Sequence, residues 1–264
     1  MSNNLLKGID SNITQKLVSL VSLDLSQNQI SSINFERIFN TNSRLQELYL
    51  IENQLNEITS KDLNYFSRLQ ILDLSLNRIS IVDKNAFENM DRLNVLNLAD
   101  NNLTELNSNT FRNQLQLVSL NLSYNTLEII TKDLFASLYN LKKLDLSHNF
   151  FRFIEDYSFK SASLLETIIL DSNPTLVFST NTFYGLDSIK TISVGFHVLR
   201  KSSNKQSLLN TLNPVKLKYV GDQLYFRSIS LIYTDETTID CQLVLEFLKM
   251  MIQVNLRSDY DFVL

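Results

Sequence analysis

The chain has 264 residues, 44% hydrophobic and 20% charged, which is the composition of an ordinary soluble protein. Its net charge of −4 provides no basic footprint for nucleic acid, and four glycines and two prolines are too few for phosphate-binding loops or a disordered linker. It has no apolar run of about eighteen residues, so we expect no membrane span, and its N-terminus lacks the apolar core of a signal peptide.

One phrase, Leu-x-x-Leu-x-Leu-x-x-Asn, recurs along most of the chain. Its asparagine falls at intervals of 25 and then always 24 residues, at Asn28, Asn53, Asn77, Asn101, Asn125, Asn149 and Asn173. Ten residues after an asparagine comes a phenylalanine in five successive units, at Phe87, Phe111, Phe135, Phe159 and Phe183. This spacing indicates a repeat architecture, and it is not the heptad of a coiled coil.

Each phrase predicts a short strand and a sharp turn. Leu72 and Leu74 alternate with outward residues, so stacked copies form a parallel sheet over a leucine interior. The turn buries backbone groups that need partners, and an asparagine carboxamide offers two donors and an acceptor. We therefore expect the asparagines to be buried as a ladder in the turns, and the phenylalanines to line the far wall as a second stack.

These residues resemble the leucine-rich repeat family, specifically the 24-residue class of Toll-like receptors, Slit proteins and matrix proteoglycans. The resemblance covers residues 1–198. It implies an α/β solenoid, a curved horseshoe with a parallel concave sheet, and a C-terminal capping segment over residues 199–264. It also implies protein recognition in an extracellular or receptor-type setting.

The first unit of the repeat is partial. Counting back 24 residues from Asn28 reaches Asn4, and Leu6 and Ile9 follow at the expected positions. The chain thus begins inside a repeat without a polar cap over its first core layer, although solenoids need such caps. Two interpretations stay open: a fragment of a longer protein, or a degenerate first repeat that serves as its own cap.

The residues at the variable positions of the phrase are expected to project from the sheet and to form the binding surface. Apolar and aromatic side chains stand on several adjacent strands, which is unusual for an exposed sheet without a partner. The candidate binding residues are Glu47, Tyr49, Ile51, Glu52, Ile71, Leu76, Val95, Tyr124, Lys143 and His148. Scattered exposed apolar residues are also ordinary on protein surfaces, which is the alternative interpretation.

Polar positions on the same face also have two interpretations. Asp24, Asp73 and Asp145 share one strand position, with Asn97 and Asn121 between them, which suggests an acidic stripe for a cation or basic ligand. We favour the other interpretation, in which this row ties adjacent strands together, since aspartate is common at this position in the family resembled. Glycosylation sequons, in a number near chance, begin at Asn12, Asn102 and Asn121.

The repeat ends near residue 198, because His197 stands where the next asparagine is expected. The alternating residues 215–233 then predict a hairpin about Gly221 and Asp222. A helix is predicted over residues 240–253, with a single polar stripe, so most of it should be buried against the last repeats. The residues expected to make this contact are Phe247, Leu248 and Met251.

The predicted helix is similar to the C-terminal cap of extracellular leucine-rich repeats. Asp240, Cys241 and Leu243 match the start of that cap, but Ile239 stands where its first cysteine belongs. No downstream partner for Cys241 is present before the end of the chain. A buried free cysteine on an ordinary helix is the equally open alternative.

Catalytic signatures are nearly absent. A nucleophilic site would need Cys241 beside His148 or His197, the only histidines. No histidine or cysteine pair has metal-ligand spacing, and the glycine motifs of nucleotide-binding and hydrolase sites are missing. We predict no catalytic residue, cofactor or metal, and an enzyme using Cys241 is the most remote alternative.

The sequence therefore predicts a non-catalytic module that binds a protein partner through its concave surface. The partner's identity is not encoded in any motif that we can interpret. An extracellular or cell-surface location follows from the family resemblance. An intracellular adaptor or scaffold in the cytoplasm is the alternative.

Overall fold

The fold is known from a computed structural model, which describes residues 2–8, 19–33, 44–63, 65–179 and 181–194 and the backbone of three later strands. The strands of the main sheet are β1 (Ser22–Asp24), β2 (Glu47–Tyr49), β4 (Ile71–Asp73), β6 (Val95–Asn97), β7 (Ser119–Asn121), β9 (Lys143–Asp145), β11 (Thr167–Ile169), β12 (Thr191–Ser193), β13 (Leu217–Val220), β14 (Gln223–Phe226) and β15 (Ile229–Ile232). The remaining elements are β3 (Glu57–Ile58), α1 (Ser60–Leu63), β5 (Ile81–Val82), β8 (Ile129–Ile130) and β10 (Phe153–Ile154).

The repeat phrase folds into one parallel sheet. Its strands lie in the order β1-β2-β4-β6-β7-β9-β11-β12, and each pairs with the same phrase position of the next. Leu48, for example, lies opposite Leu72, and Leu72 lies opposite Leu96. The central residue of each of these strands is buried and its neighbours are more accessible, because side chains alternate between the two faces. The predicted leucine-rich repeat solenoid is confirmed.

The asparagine ladder is confirmed at all seven positions, where every asparagine is buried. The amide nitrogen of Asn77 donates to the carbonyl of Leu74, in its own turn, and to that of Leu50, one repeat earlier. Its side-chain oxygen accepts a hydrogen bond from the N–H of Leu55 at 3.1 Å. The same pattern joins each later pair of turns, so the carboxamides satisfy backbone groups that have no water to bind.

The far wall is the predicted stack of phenylalanines. Phe87 and Phe111 lie with ring centroids 6.2 Å apart, and Phe159 stands between Phe135, at 5.9 Å, and Phe183, at 6.2 Å. All five rings are at most 1% exposed. The core is therefore a leucine layer under the sheet and an aromatic layer opposite it.

Residues 2–8 form the turn of the partial first unit. The N–H of Leu6 donates to the side-chain oxygen of Asn28 at 3.1 Å, as in every later turn. Asn4 itself is exposed and its amide donates to the carbonyl of Ser2, because no earlier turn lies beside it among the described residues.

Past the repeats, three more strands extend the main sheet. β15 pairs in parallel with β12, and β14 pairs antiparallel with both β15 and β13. Val220 lies opposite Gln223, so only two residues join β13 to β14, and the hairpin predicted about Gly221 and Asp222 is confirmed. The predicted helix over 240–253 lies outside the described residues. The division at 198 stays a prediction.

Two short parallel ladders run beside the main sheet, where the chain leaves the asparagine turn. β3 pairs with β5, and β8 pairs with β10. Within the described ranges, no helix is long or apolar enough to cross a membrane.

Candidate functional site: the concave face of the sheet

The main sheet presents one face to the core and one face outward, and we call the outward face the concave face. Three rows of side chains run across it, and each row repeats one position of the phrase. The first row contains Glu47, Ile71, Val95, Ser119 and Lys143, at the start of β2, β4, β6, β7 and β9. Register fixes these neighbours about 4.8 Å apart, strand to strand.

The second row contains the aspartates and asparagines of the suspected stripe. The side-chain oxygen of Asp73 accepts a hydrogen bond from the N–H of Ser75 at 3.0 Å, and Asp24 and Asp145 cap their turns in the same way. The amide of Asn97 donates to Asp73 across the strands, also at 3.0 Å. The interpretation that this row ties turns and strands together is supported by these bonds.

The third row precedes each asparagine, and its residues adopt a left-handed backbone. Leu76, Tyr124 and His148 have φ between 52° and 56°, and Gln27, Glu52, Asp100 and Ser172 share this conformation. In residues other than glycine, such angles cause steric strain. The hydrogen bonds of the buried asparagine turn must offset this strain. The conformation turns these side chains out of the sheet, so Leu76 is 45% and Tyr124 54% exposed.

Tyr124 and His148 stack on one another in this row. Their ring centroids are 3.9 Å apart and the rings are inclined by only 9°. Both side chains are exposed, and each belongs to a different repeat. Together they form a flat aromatic platform at the edge of the concave face.

The first repeats make this face electronegative around Tyr49. Its ring stands on β2 between Asp24 and Asp73, which occupy the same position of the adjacent strands. Burial raises the pKa of the Tyr49 phenol above its ordinary value, and the carboxylates of Glu47, Asp73 and Asp24 raise it further.

The structure brings the ten candidate binding residues onto this one face. Glu47, Tyr49, Ile51, Ile71 and Val95 are half-buried, and Glu52, Leu76, Tyr124, Lys143 and His148 are exposed. They belong to five neighbouring repeats, whose strands are β2, β4, β6, β7 and β9. All ten are at least partly accessible to solvent, and their role in binding stays a prediction.

Sequence reasoning missed a second accessible apolar row, on the side where the chain leaves the asparagine turn. Ile129, Phe153 and Val177 are adjacent there through β8, β10 and an isolated bridge. Their exposures are 46%, 44% and 37%. The signal was available, because these residues stand four positions after successive asparagines.

The remaining sequence candidates have mixed outcomes. Asn102 is exposed, whereas the side-chain oxygen of Asn121 accepts a hydrogen bond from the N–H of Ser123. Asn12, His197 and Cys241 lie outside the described residues. The residues described contain no group of three histidine, cysteine or acidic side chains placed to hold a metal ion.

A family model described as BspA-type leucine-rich repeat region matches residues 2–94 and 80–210. The chain belongs to this family. No curated protein sequence matches this leucine-rich repeat chain. Among solved structures, it is similar to the chain described as "Crystal structure of TLR13-ssRNA13 complex", at 27% identity and a TM-score of 0.65. That similarity covers 73% of this chain but only 26% of the other.

The family and the receptor-like neighbour support a protein-interaction module. Both are typical of proteins without catalytic activity.

Proposed function

We propose that this leucine-rich repeat chain is a non-catalytic recognition module that binds a protein partner through its concave face. The binding residues are the ten candidates described above, with Tyr49 and Tyr124 as aromatic anchors. The observation that carries the proposal is the in-register display of exposed or half-buried apolar and aromatic side chains on β2, β4 and β6 and in the turns that follow β4, β7 and β9. Such side chains are the usual energetic centres of protein interfaces.

A protein partner fits the charge of this surface better than single-stranded RNA, with which TLR13 forms a complex in the similar structure. RNA binding depends on lysine and arginine placed to neutralise phosphates. Here the net charge is −4, and Tyr49 lies among three carboxylates. A phosphate backbone would be repelled from this part of the face.

We also propose that the chain is part of an extracellular or cell-surface, receptor-type protein. The support is the similarity to TLR13 and the match to the BspA-type family. Proteolysis of intact cells tests this location: an antibody epitope in the chain should disappear when protease is added outside. An epitope that is lost only after lysis would favour the cytoplasmic adaptor instead.

The binding proposal is tested with Tyr49→Ala combined with Tyr124→Ala. Each anchor can contribute about 2 kcal/mol, so the double variant should bind a purified partner at least about a hundredfold more weakly. The partner is first captured from native extract by the wild-type chain. Tyr139→Ala with Tyr184→Ala is the matched control, since both tyrosines are 55% exposed and lie outside the concave strands.

Both double variants should melt close to the wild-type temperature, because none of the four side chains belongs to the core. Normal folding and unchanged binding of the Tyr49/Tyr124 variant would contradict the concave-face proposal. Equal losses in both double variants would place recognition elsewhere on the solenoid.

A further inference from the structure

We infer that the first four repeats of the concave face bind a partner surface that carries lysine or arginine together with apolar side chains. This rests on the proposed function and specifies the chemistry of its partner. We call this region the acidic half, defined by the strand-and-turn segments 21–27, 46–52, 70–76 and 94–100.

The charge of the acidic half is entirely negative. Its four segments contain five carboxylates and no lysine, arginine or histidine. The carboxylates are Asp24, Glu47, Glu52, Asp73 and Asp100. The equivalent segments of later repeats differ, because Lys142, Lys143 and Lys190 enter there. The solenoid therefore has a charge asymmetry along its concave face.

Register concentrates these charges around apolar side chains. Glu47 lies beside Ile71 in the first row, and Tyr49 lies between Asp24 and Asp73 in the second. Leu76 separates Glu52 from Asp100 in the third row of left-handed residues. Each carboxylate thus has an apolar neighbour on the next strand or turn, about one strand spacing away.

Internal ion pairs do not neutralise this charge among the described residues. The pairs found there are Arg112–Glu88, Arg152–Glu128 and Lys190–Glu166, and none lies in the acidic half. Glu52 accepts a hydrogen bond from the uncharged amide of Gln27 at 2.9 Å. Burial raises the pKa of Tyr49, and the nearby carboxylates of Glu47, Asp73 and Asp24 raise it further, in agreement with a negative field on this part of the face.

The charges and the apolar side chains of the acidic half together select the partner. A neutral apolar surface would desolvate five carboxylates without compensation, which is costly. A basic surface supplies opposite charges to the carboxylates while its apolar side chains cover Tyr49, Ile71 and Leu76. Opposite potentials also steer encounter and exclude acidic competitors, so the association should be sensitive to salt.

The experiment pans a random twelve-residue peptide display library on the full chain and measures the affinities of the enriched peptides. Two triple variants of equal charge are compared. The concave variant is Glu47→Gln, Glu52→Gln and Asp100→Asn, which leaves the turn-capping Asp24 and Asp73 intact. The control variant is Glu57→Gln, Asp91→Asn and Glu105→Gln, at exposed positions outside the concave face. Melting curves verify that both variants fold.

Enriched peptides should carry net positive charge and apolar residues. Their affinity should fall about tenfold in the concave variant and less than about twofold in the control, and it should weaken with added salt. Neutral or acidic peptides, equal losses in both variants, or no enrichment would overturn the inference. A single-stranded RNA oligonucleotide is the second probe, and tighter binding of this RNA than of the enriched peptides would overturn it as well.

The two proposals fail in distinguishable ways. Neutral or acidic peptides that lose affinity for the Tyr49/Tyr124 variant would refute the charge preference and leave concave-face recognition standing. Peptides that are insensitive both to that variant and to the concave triple variant would refute both.

Discussion

The side-chain oxygen of Asn101 accepts a hydrogen bond from the backbone N–H of Ile79 at 2.9 Å, one repeat earlier in the chain. The amide nitrogen of the same asparagine donates to the carbonyls of Leu74, at 3.0 Å, and Leu98, at 3.1 Å. One side chain thus joins the turns of two repeats. It does so in the interior, where an unpaired backbone group has no water to replace the lost partner.

Asn101→Ala should therefore lower the free energy of unfolding by about 1–3 kcal/mol, the cost of leaving such groups unsatisfied. Thermal or urea unfolding measures this loss. The control is the same substitution at the adjacent Asn102, which is exposed. Its effect should stay within about 0.5 kcal/mol. If the Asn101 and Asn102 variants had the same melting curve, the buried hydrogen bonds of Asn101 would not stabilise the turn.

The ladder and the aromatic wall could be predicted from the sequence because a solenoid repeats its environment. Asn77 meets the turn of the previous repeat through the same bonds as Asn101, so one physical requirement recurs every 24 residues. Phe111 and Phe135 are likewise fixed by one core layer. A requirement repeated at a constant interval leaves a pattern that a single sequence can reveal.

The features of the candidate site lack such a repeated requirement. The stack of Tyr124 on His148 depends on left-handed backbone angles that neither residue type prefers. The two residue types therefore give no signal in the sequence that their rings will stack. The parallel pairing of β15 with β12 joins segments with no common phrase. The negative field at Tyr49 arises from three strands at once. Each of these depends on which residues become neighbours, and only the assembled sheet decides that.

The aromatic wall predicts a second stability effect. Phe111 is 1% exposed and stacks on Phe87, so Phe111→Ala would leave a cavity and cost about 3–5 kcal/mol. Phe111→Leu should cost less, because it fills part of that volume. Leu115→Ala is the control in the same repeat, since Leu115 is 47% exposed. Urea unfolding ranks the three variants, and a loss at Leu115 as large as that at Phe111 would contradict the assignment of the core.

The backbone conformation of a glycine in a later repeat leads to a further prediction about stability. Gly185 has φ of +89°, and a Cβ added there would lie 2.9 Å from both the Cα and the carbonyl oxygen of Lys160. Both atoms belong to the backbone and cannot move aside, so Gly185→Ala should destabilise the fold by about 1–3 kcal/mol. Gly8→Ala is the control, because no atom lies within 4 Å of its added Cβ. Equal melting temperatures for the two variants would refute the predicted strain.

The field around Tyr49 predicts a dependence on alkaline pH. Because its folded pKa is raised above the unfolded value of about 10, the phenol contributes its full stability below that pH. This contribution is lost as the pH rises through the folded pKa, since the unfolded chain ionises more readily. The stability difference between wild type and Tyr49→Phe should therefore shift against the wild type at alkaline pH.

The titration of the phenol can be observed directly. The ultraviolet absorbance of phenolate, taken as the difference between wild type and Tyr49→Phe, gives the folded pKa of Tyr49. Glu47→Gln should lower this pKa toward its ordinary value without restoring it fully, because burial is the larger cause and Asp73 and Asp24 remain. Glu105→Gln, an exposed change outside the concave face, should leave it unchanged. If both variants left the Tyr49 pKa where it was, Glu47 would not act on the phenol, and the electronegative field on the first repeats would lose its most direct support.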